Sequence, residues 1–371
     1  MKSANYGVII AGGRGTRFWP LSRAQRPKQL LKLFSQKSMI RETADRILPL
    51  FAPERLLVVT VADHYRALRK ELPMLPKGNF VVEPEGKNTA PCIGLAAIEL
   101  SRRNPNAVMV VLPADHWISD SKAFHTTIKA ALQAAREQDA LVTIGIRPSY
   151  PETGYGYILK GREIKRTGKG AFYSVEGFKE KPNLEAAGQL LQSGSLWNSG
   201  IFSWKVSTIL ELLGRFAPEI FQGLERIAEK TKGRGLGRLP SKLRAALEKE
   251  YKKMPSISVD YAVLEKAGSE GKVLTLEADF GWSDVGNWAA LHRMLPQDGS
   301  GNGGVGRWLG FKSRGCLVYS QNRLITLLGM ENILVVDTPD ALLVGDLNRS
   351  QEVRELVEEL ERKGYRKFTT R

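Results

Sequence analysis

Val8-Ile9-Ile10-Ala11-Gly12-Gly13-Arg14-Gly15-Thr16-Arg17-Phe18-Trp19-Pro20-Leu21-Ser22-Arg23, followed by Arg26-Pro27-Lys28-Gln29-Leu30, decides how this chain is read. The apolar run Val8–Ile10 predicts a buried strand. It breaks into a loop with glycines at 12, 13 and 15 and arginines at 14 and 17. Glycine lets backbone N–H groups approach a ligand, and arginine pairs with phosphate oxygens through two parallel hydrogen bonds. A strand feeding such a loop is suited to a polyphosphate. The Walker pattern is excluded, because no Lys-Ser/Thr follows the glycines. The dinucleotide fingerprint is excluded too, because Phe18 stands where its third glycine belongs. A plain turn explains Gly12-Gly13 but not Arg14, Arg17 and Lys28 crowded beside them.

Working outward, apolar runs recur at Val8–Ile10, Leu56–Val61, Phe80–Val82, Val108–Leu112 and Leu141–Ile146. Helical patterns lie between most of them, at Met39–Leu48, Tyr65–Leu72, Ile93–Arg102 and Phe124–Gln138. This alternation predicts an α/β fold, Rossmann-like, with a mostly parallel sheet covered on both faces. Ligands of such sheets bind at the carboxyl ends of the strands. The glycine loop and the segments after Val82 and Leu112 all fall there.

The texture changes after Leu295. Pro296–Gly304 reads as a linker or flexible loop. Short strands follow at Cys316–Ser320, Leu324–Leu328, Ile333–Asp337 and Ala341–Val344, then an amphipathic helix over Asn348–Lys363 with Asn348 or Ser350 as its cap. The expected division is therefore 1–298 for the catalytic domain and 299–371 for a small β unit with a C-terminal helix. That unit is expected to be structural, with the chemistry lying before it.

A chain of 371 residues has room for two domains and a large core. It has no apolar run near the ~20 residues of a membrane span, and its N-terminus lacks a signal peptide's apolar core. A cytoplasmic protein without a membrane partner is expected. The two cysteines, Cys92 and Cys316, form no framework, and the four histidines lack zinc spacing. The net charge of +16 fits nucleic acid, acidic lipid or anionic small substrates. With no nucleic-acid signature present, that partner rests on charge alone and is not expected. Much of the excess lies between Arg226 and Lys253, where glutamates are interspersed, and reads as a solvated basic face.

Leu112-Pro113-Ala114-Asp115-His116 follows a predicted strand. A carboxylate there, beside a phosphate loop, suits Mg²⁺, which takes one or two carboxylates plus substrate phosphates. The plain alternative is a cap for the next helix. Gly281-Trp282-Ser283-Asp284-Val285-Gly286-Asn287-Trp288 presents a second carboxylate, Asp284, in a turn between aromatic residues. In Glu83-Pro84-Glu85-Gly86-Lys87-Asn88-Thr89, Asn88 and Thr89 are candidate helix caps. Asn198-Ser199-Gly200 reads as a common turn, and Glu180–Lys181 as an unremarkable charged pair.

The run Gly-Gly-x-Gly-Thr-Arg-x-Trp-Pro-Leu-Ser-Arg with Pro-Lys-Gln downstream resembles the sugar-nucleotide pyrophosphorylases, and more narrowly their mannose-1-phosphate guanylyltransferase branch. Matching blocks recur in order to about Leu291. The resemblance implies GTP and mannose-1-phosphate as substrates, GDP-mannose and pyrophosphate as products, Mg²⁺ as cofactor and a homodimer. It implies catalytic roles for Arg17, Lys28, Asp115 and Asp284, with Asp115 and Asp284 holding the metal. Gly12, Gly13, Arg14, Gly15, Thr16, Arg17, Glu85, Asn88, Thr89 and Pro113 would meet the nucleotide, Glu85 accepting from the guanine edge. Gly154, Tyr155, Glu180, Lys181, Asn198, Gly200 and Asp260 would meet the sugar phosphate. It also implies a short β-helix-like C-terminal module. Some relatives continue into a phosphomannose isomerase domain, which is not expected within this length. A sibling enzyme with another nucleotide or hexose and a non-catalytic regulatory homologue are the competing readings. The latter usually loses the glycine loop or the metal carboxylates, which stand here.

Overall fold

The computed structural model describes residues 4–13, 15–167 and 170–370, so Arg14, an expected phosphate ligand, lies outside the described residues. Packing divides the chain into two compact units. The first comprises Met1–Gly12, Ile40–Ala114 and Ile118–Trp282. The second comprises Gly13–Met39, Asp115–Trp117 and Ser283–Arg371.

The first unit is built on a nine-stranded sheet. Its strands are β1 (Asn5–Ala11), β2 (Leu56–Val61), β3 (Phe80–Glu83), β4 (Val108–Pro113), β5 (Leu141–Ile146), β6 (Gly156–Thr167), β7 (Gly170–Glu180), β8 (Leu196–Lys205) and β9 (Val273–Ala278). Their spatial order is β3-β2-β1-β4-β8-β5-β9-β7-β6. Every strand but β7 and β8 runs in one direction, so the sheet is mostly parallel. Helices cover the parallel strands on both faces, which is why runs such as Leu56-Leu57-Val58-Val59 are apolar throughout and fully buried. The register pairs Ile10 with Pro113 and Val61 with Glu83, which brings the carboxyl ends of β1, β2, β3 and β4 to one rim.

Two expectations change here. Asn198-Ser199-Gly200 is not a turn but part of β8. Its side chains bond the local backbone, Asn198 Oδ1 accepting from the Gly200 N–H (3.1 Å) and Ser199 Oγ from the Ile201 N–H (3.2 Å). The register with β5 shifts opposite them. These are the sequence marks of a bulge, which turns and bulges share. The basic stretch is also not simply a solvated face. Arg226 and Lys253 reach Glu250 at 2.9 and 3.2 Å, and Lys230 joins them. Glu250 is 1% exposed, and these hydrogen bonds, Lys230's first, hold its carboxyl down at about 2. Arg226 and Lys230 therefore pin helix Pro218–Lys230 to helix Ser241–Tyr251, while Lys253 closes on Glu250 from just beyond its own helix.

The second unit contains β10 (Gly303–Val305), β11 (Trp308–Phe311), β12 (Leu317–Ser320), β13 (Ile325–Leu328), β14 (Ile333–Asp337) and β15 (Leu342–Asp346). They form a sheet β10-β12-β14-β15 and a pair β11-β13. All pairings are parallel except β14–β15, so the chain winds as the coils of a short β-helix-like unit. Its inner residues share a core with the segment after the glycine loop: Phe18, Trp19 and Leu31 pack with Trp288, Leu317, Tyr319, Val336, Val353 and Val357.

The stretch Pro296–Gly304 is ordered rather than a linker. Asp298 accepts from the N–H groups of Ser300 and Asn302, both at 2.9 Å. Asn302, 1% exposed, donates to the Ser313 carbonyl and accepts from the Cys316 N–H. Its polar, glycine-rich composition serves a buried amide network, which composition alone does not distinguish from a loop. The C-terminal helix begins as a 3-10 turn, Leu347–Glu352, and continues as an α-helix, Val353–Arg362. Asp346, not Asn348 or Ser350, caps it by accepting from the Asn348 N–H. The Ser350 hydroxyl instead accepts from the Ala289 N–H.

Candidate active site

The glycine-loop residues of the second unit line a cleft of about 460 Å³. Gly15, Thr16, Arg17, Lys28, Asp115, His116, Asp284 and Gly286 form part of its wall. The four expected catalytic residues thus meet in one cavity although they span most of the sequence. Local structure explains the convergence. Gly15 has φ +65° and precedes the 3-10 turn Thr16–Phe18. A β-carbon on Gly15 would lie 2.3 Å from the Lys28 Cβ, so only glycine lets the loop and Lys28 come together.

Lys28 is buried, and its ammonium ties the cleft together. It pairs with Asp115 Oδ2 at 2.9 Å and donates to the Asp284 carbonyl at 2.6 Å. Desolvation by the surrounding protein pushes the Asp115 carboxyl up. The charges of Lys28 and His116, with the Lys28 hydrogen bond, outweigh that and hold it below the usual range. Asp115 is therefore ionised at neutral pH. It does not cap the next helix, Ser121–Gln138, whose cap is Asp120.

Asp284 provides the test for a metal. Its Oδ1 is buried and has no hydrogen-bond partner among the described residues. A buried, unsatisfied carboxylate oxygen is costly unless a cation or ligand proton completes it. A β-carbon on Gly286 would come within 2.8 Å of Asp284 Oδ2, so glycine there keeps that oxygen uncrowded. Among the described residues, three cations (Arg17, Lys28, Arg354) and four carboxylates (Asp115, Asp284, Glu358, Glu361) line the cleft. A bare polyphosphate is poorly served by that balance, whereas a polyphosphate carrying a divalent cation is well served. Among the described residues no cluster of three or more His, Cys, Asp or Glu forms a metal cage. That suits a hard cation that completes its shell with substrate oxygens.

The first unit holds the other expected residues. Glu180 ends β7 opposite Gly156 in the ladder, and Lys181 pairs with it at 3.1 Å. Asn198 donates to Asp260 Oδ1 at 2.8 Å. Asp260 opens a π-helical turn, Asp260–Leu264, a feature common at functional sites. Burial raises the Asp260 carboxyl to about 6, the Asn198 hydrogen bond opposing this and the Glu180 charge adding to it. Tyr155 packs edge-on against Trp197 and Trp282, with centroids 5.2 and 5.1 Å apart, and its carbonyl accepts from the Lys181 N–H. Glu152 accepts from the Gly154 N–H. Gly200 donates to Asn198, as above. The expected sugar residues thus form a connected set of carboxylate, amide and aromatic groups, the donor-acceptor mixture that hydroxyl-rich ligands require.

The nucleoside segment is partly structural. Asn88 caps helix Thr89–Arg103 by accepting from the Thr89 N–H, and Thr89 Oγ1 accepts from the Val259 N–H. Glu85, half exposed, pairs with Lys87 at 3.2 Å, and Lys87 donates to the carbonyls of Lys252 and Met254. Pro113 ends β4 at the rim, where Gly12 follows β1.

Sequence reasoning missed three features. Glu83, at the end of β3, is buried and accepts a short hydrogen bond from the Tyr251 hydroxyl. Burial lifts its carboxyl to about 7. Arg23, read only as part of a motif, donates to the carbonyls of Pro20 and Phe368 and pairs with Asp340 at 2.9 Å. Arg354, Val357, Glu358 and Glu361 of the C-terminal helix line the cleft that holds Lys28 and Asp115. The sequence signal for the last of these was the helical spacing of 354, 357, 358 and 361, which gives one face.

A family model for nucleotidyl transferases matches residues 6–300, and the chain belongs to that family. A model for the mannose-phosphate isomerase/GMP-like β-helix domain matches residues 306–360. The chain is 39% identical over 355 residues to mannose-1-phosphate guanylyltransferase of Escherichia coli, covering 95% of this chain and 73% of the relative. It is also 39% identical over 355 residues to the Klebsiella pneumoniae protein of the same name, with the same coverage. A crystal structure from Thermus thermophilus, described as a mannose-1-phosphate geranyltransferase, superimposes with a TM-score of 0.84 at 36% identity, covering 96% of this chain and 99% of that one. The protein is a nucleotidyltransferase of the sugar-phosphate class.

Proposed function

We propose that this enzyme converts GTP and mannose-1-phosphate into GDP-mannose and pyrophosphate, with Mg²⁺. The observation that carries the proposal is the meeting of Arg17, Lys28, Asp115 and Asp284 in one cleft, with a buried Asp284 oxygen left unpartnered. The identity to named guanylyltransferases supports the choice of substrates.

In the proposed reaction a phosphate oxygen of mannose-1-phosphate attacks the α-phosphorus of GTP. The bond to the α–β bridging oxygen breaks, and its electron pair leaves with pyrophosphate. A sugar phosphate is ionised at neutral pH, so no general base is needed. Arg17 and the Gly12–Thr16 amides hold the departing β- and γ-phosphates. Lys28, fixed by Asp115 and the Asp284 carbonyl, faces the transferred phosphate. Asp115 and Asp284 would hold Mg²⁺, which would supply charge neutralisation for the reacting phosphate. Positioning and charge supply the catalysis, as in other phosphate transfers. Glu180, Asn198 and Asp260 take the sugar hydroxyls and Lys181 its phosphate, beside Gly154, Tyr155 and Gly200. Glu85 accepts from the guanine edge, with Asn88, Thr89 and Pro113 shaping its pocket.

The proposal extends to assembly and place. Leu309 and Phe311 of β11 and Leu328 of β13 are 57%, 57% and 70% exposed, on adjoining strands. Such an apolar row fits a homodimer contact. No described helix is long and apolar enough to cross a membrane, and a cytoplasmic location is proposed.

The deciding experiment is a substrate panel. Each nucleoside triphosphate is paired with mannose-, glucose- and galactose-1-phosphate, and pyrophosphate release is followed. GTP with mannose-1-phosphate is expected to lead. Equal or faster turnover with UTP or dTTP and glucose-1-phosphate would reassign the enzyme to a sibling specificity.

A further inference from the structure

We propose that Arg354, on the C-terminal helix, is a ligand of the leaving pyrophosphate. The cleft that contains Gly15–Arg17, Lys28, Asp115 and Asp284 is closed on one side by Arg354, Val357, Glu358 and Glu361. These residues recur at helical spacing on Val353–Arg362 and so form one wall.

The wall is fixed in place. Val353 and Val357 are buried in the core that contains Phe18, directly after Arg17. The chain beyond the helix is tied to the glycine-loop segment. Trp19 Nε1 donates to the Phe368 carbonyl at 2.9 Å, and the N–H groups of Ala24 and Gln25 donate to the carbonyls of Thr369 and Thr370 at 2.9 and 3.0 Å. Arg354 thus stands on a braced element rather than a loose surface helix.

Its chemistry suits a phosphate end. The one hydrogen bond of Arg354 among the described residues runs from Nε to Glu358 Oε1 at 3.1 Å. Both Nη atoms remain, and guanidinium recognises phosphate through paired donors. Glu358, exposed and on the same helix, holds the guanidinium until phosphate oxygens replace it. Asp115 and Asp284 account for the cation, and Lys28 is spent on Asp115 and the Asp284 carbonyl. Among the described residues, Arg17 and Arg354 are then the arginines lining the cleft, and neither has a carboxylate of the metal pair as partner. A group leaving with several negative charges calls for more than one of them.

This inference rests on the proposed reaction, and the test separates the two. In the pyrophosphorolysis direction, with GDP-mannose, Mg²⁺ and inorganic pyrophosphate, Arg354→Gln should raise the KM for pyrophosphate about tenfold, the scale of one charge-assisted hydrogen bond. The KM for GTP should rise similarly in the forward direction, while that for mannose-1-phosphate stays within about twofold. Arg354→Lys should recover part of the loss, and Glu358→Gln, which frees the guanidinium, should lower the pyrophosphate KM. An active Arg354→Gln enzyme with unchanged pyrophosphate dependence overturns the inference. So does an equal rise in all three KM values, which marks a wall with no ligand role. If the wild-type enzyme does not turn over GDP-mannose, the reaction reading fails instead. Calorimetric titration of magnesium pyrophosphate into wild type and Arg354→Gln then decides: equal affinity sinks the ligand role.

Discussion

Asp115 and Asp284 carry the same charge in different circumstances. Asp115 is neutralised by Lys28, whereas Asp284 presents a buried oxygen that accepts no hydrogen bond from the described residues. Replacing either by asparagine keeps size and removes charge. Each change should slow turnover at least ~10²-fold, because a metal-bound carboxylate supports several kcal/mol of charge stabilisation. Thermal unfolding should change little for Asp284→Asn, whose unsatisfied oxygen contributes no stability. Normal turnover at limiting Mg²⁺ in either variant would remove that residue from the site. Glu83 poses a different problem. Its folded carboxyl titrates near 7, above its ordinary 4.5. Between those values the folded protein holds the proton and the unfolded chain does not, so stability falls as pH rises from about 4.5 to 7 and levels off above. The loss is on the order of 3 kcal/mol. Denaturant unfolding of wild type and Glu83→Gln at pH 5 and pH 8 should show the wild type losing more. Parallel losses in the two proteins would dissociate Glu83 from the effect.

At the scale of elements, the glycine-loop segment depends on the chain's last residues. Ending the chain after Gly364 removes the Phe368, Thr369 and Thr370 carbonyls that accept from Trp19, Arg23, Ala24 and Gln25. Several net hydrogen bonds of about 1 kcal/mol each are lost. The truncated protein should melt lower and show a KM for GTP raised about tenfold or more. A truncation with native melting and native KM would mean that the tail merely rests on the loop. The sequence showed some elements clearly and others not at all, for reasons visible in the residues. Leu56–Val61 and Leu141–Ile146 are buried on both faces, so their boundaries stand in the composition. The paired β6 and β7 are rich in exposed charged residues, such as Arg162, Glu163 and Lys165, and carry no such run. In the site, Arg17, Lys28, Asp115 and Asp284 were legible because each sits in a short local motif. Arg354 was not, because its approach to the cleft is made by a fold-back of the C-terminal unit, and helical spacing does not say what a face meets.

The whole molecule adds assembly to these local arguments. Leu309, Phe311 and Leu328 leave the β-helix-like unit with an apolar surface that a monomer gives no cover. On the proposed homodimer, the double substitution Phe311→Asp with Leu328→Asp should shift the protein to a monomer in analytical ultracentrifugation while sparing its folded core. A wild type that sediments as a monomer, or a double variant that remains a dimer, would place any subunit contact elsewhere. The bond between Trp19 and Phe368 joins residues 349 positions apart. During synthesis, Trp19 is made 349 residues before its partner Phe368. Domains generally form as their chain appears, but contacts of such long separation are slow to close. The glycine loop therefore gains these braces only after residues 368–370 have left the ribosome, and on the proposed function a nascent chain stalled before them should hold GTP about tenfold more weakly.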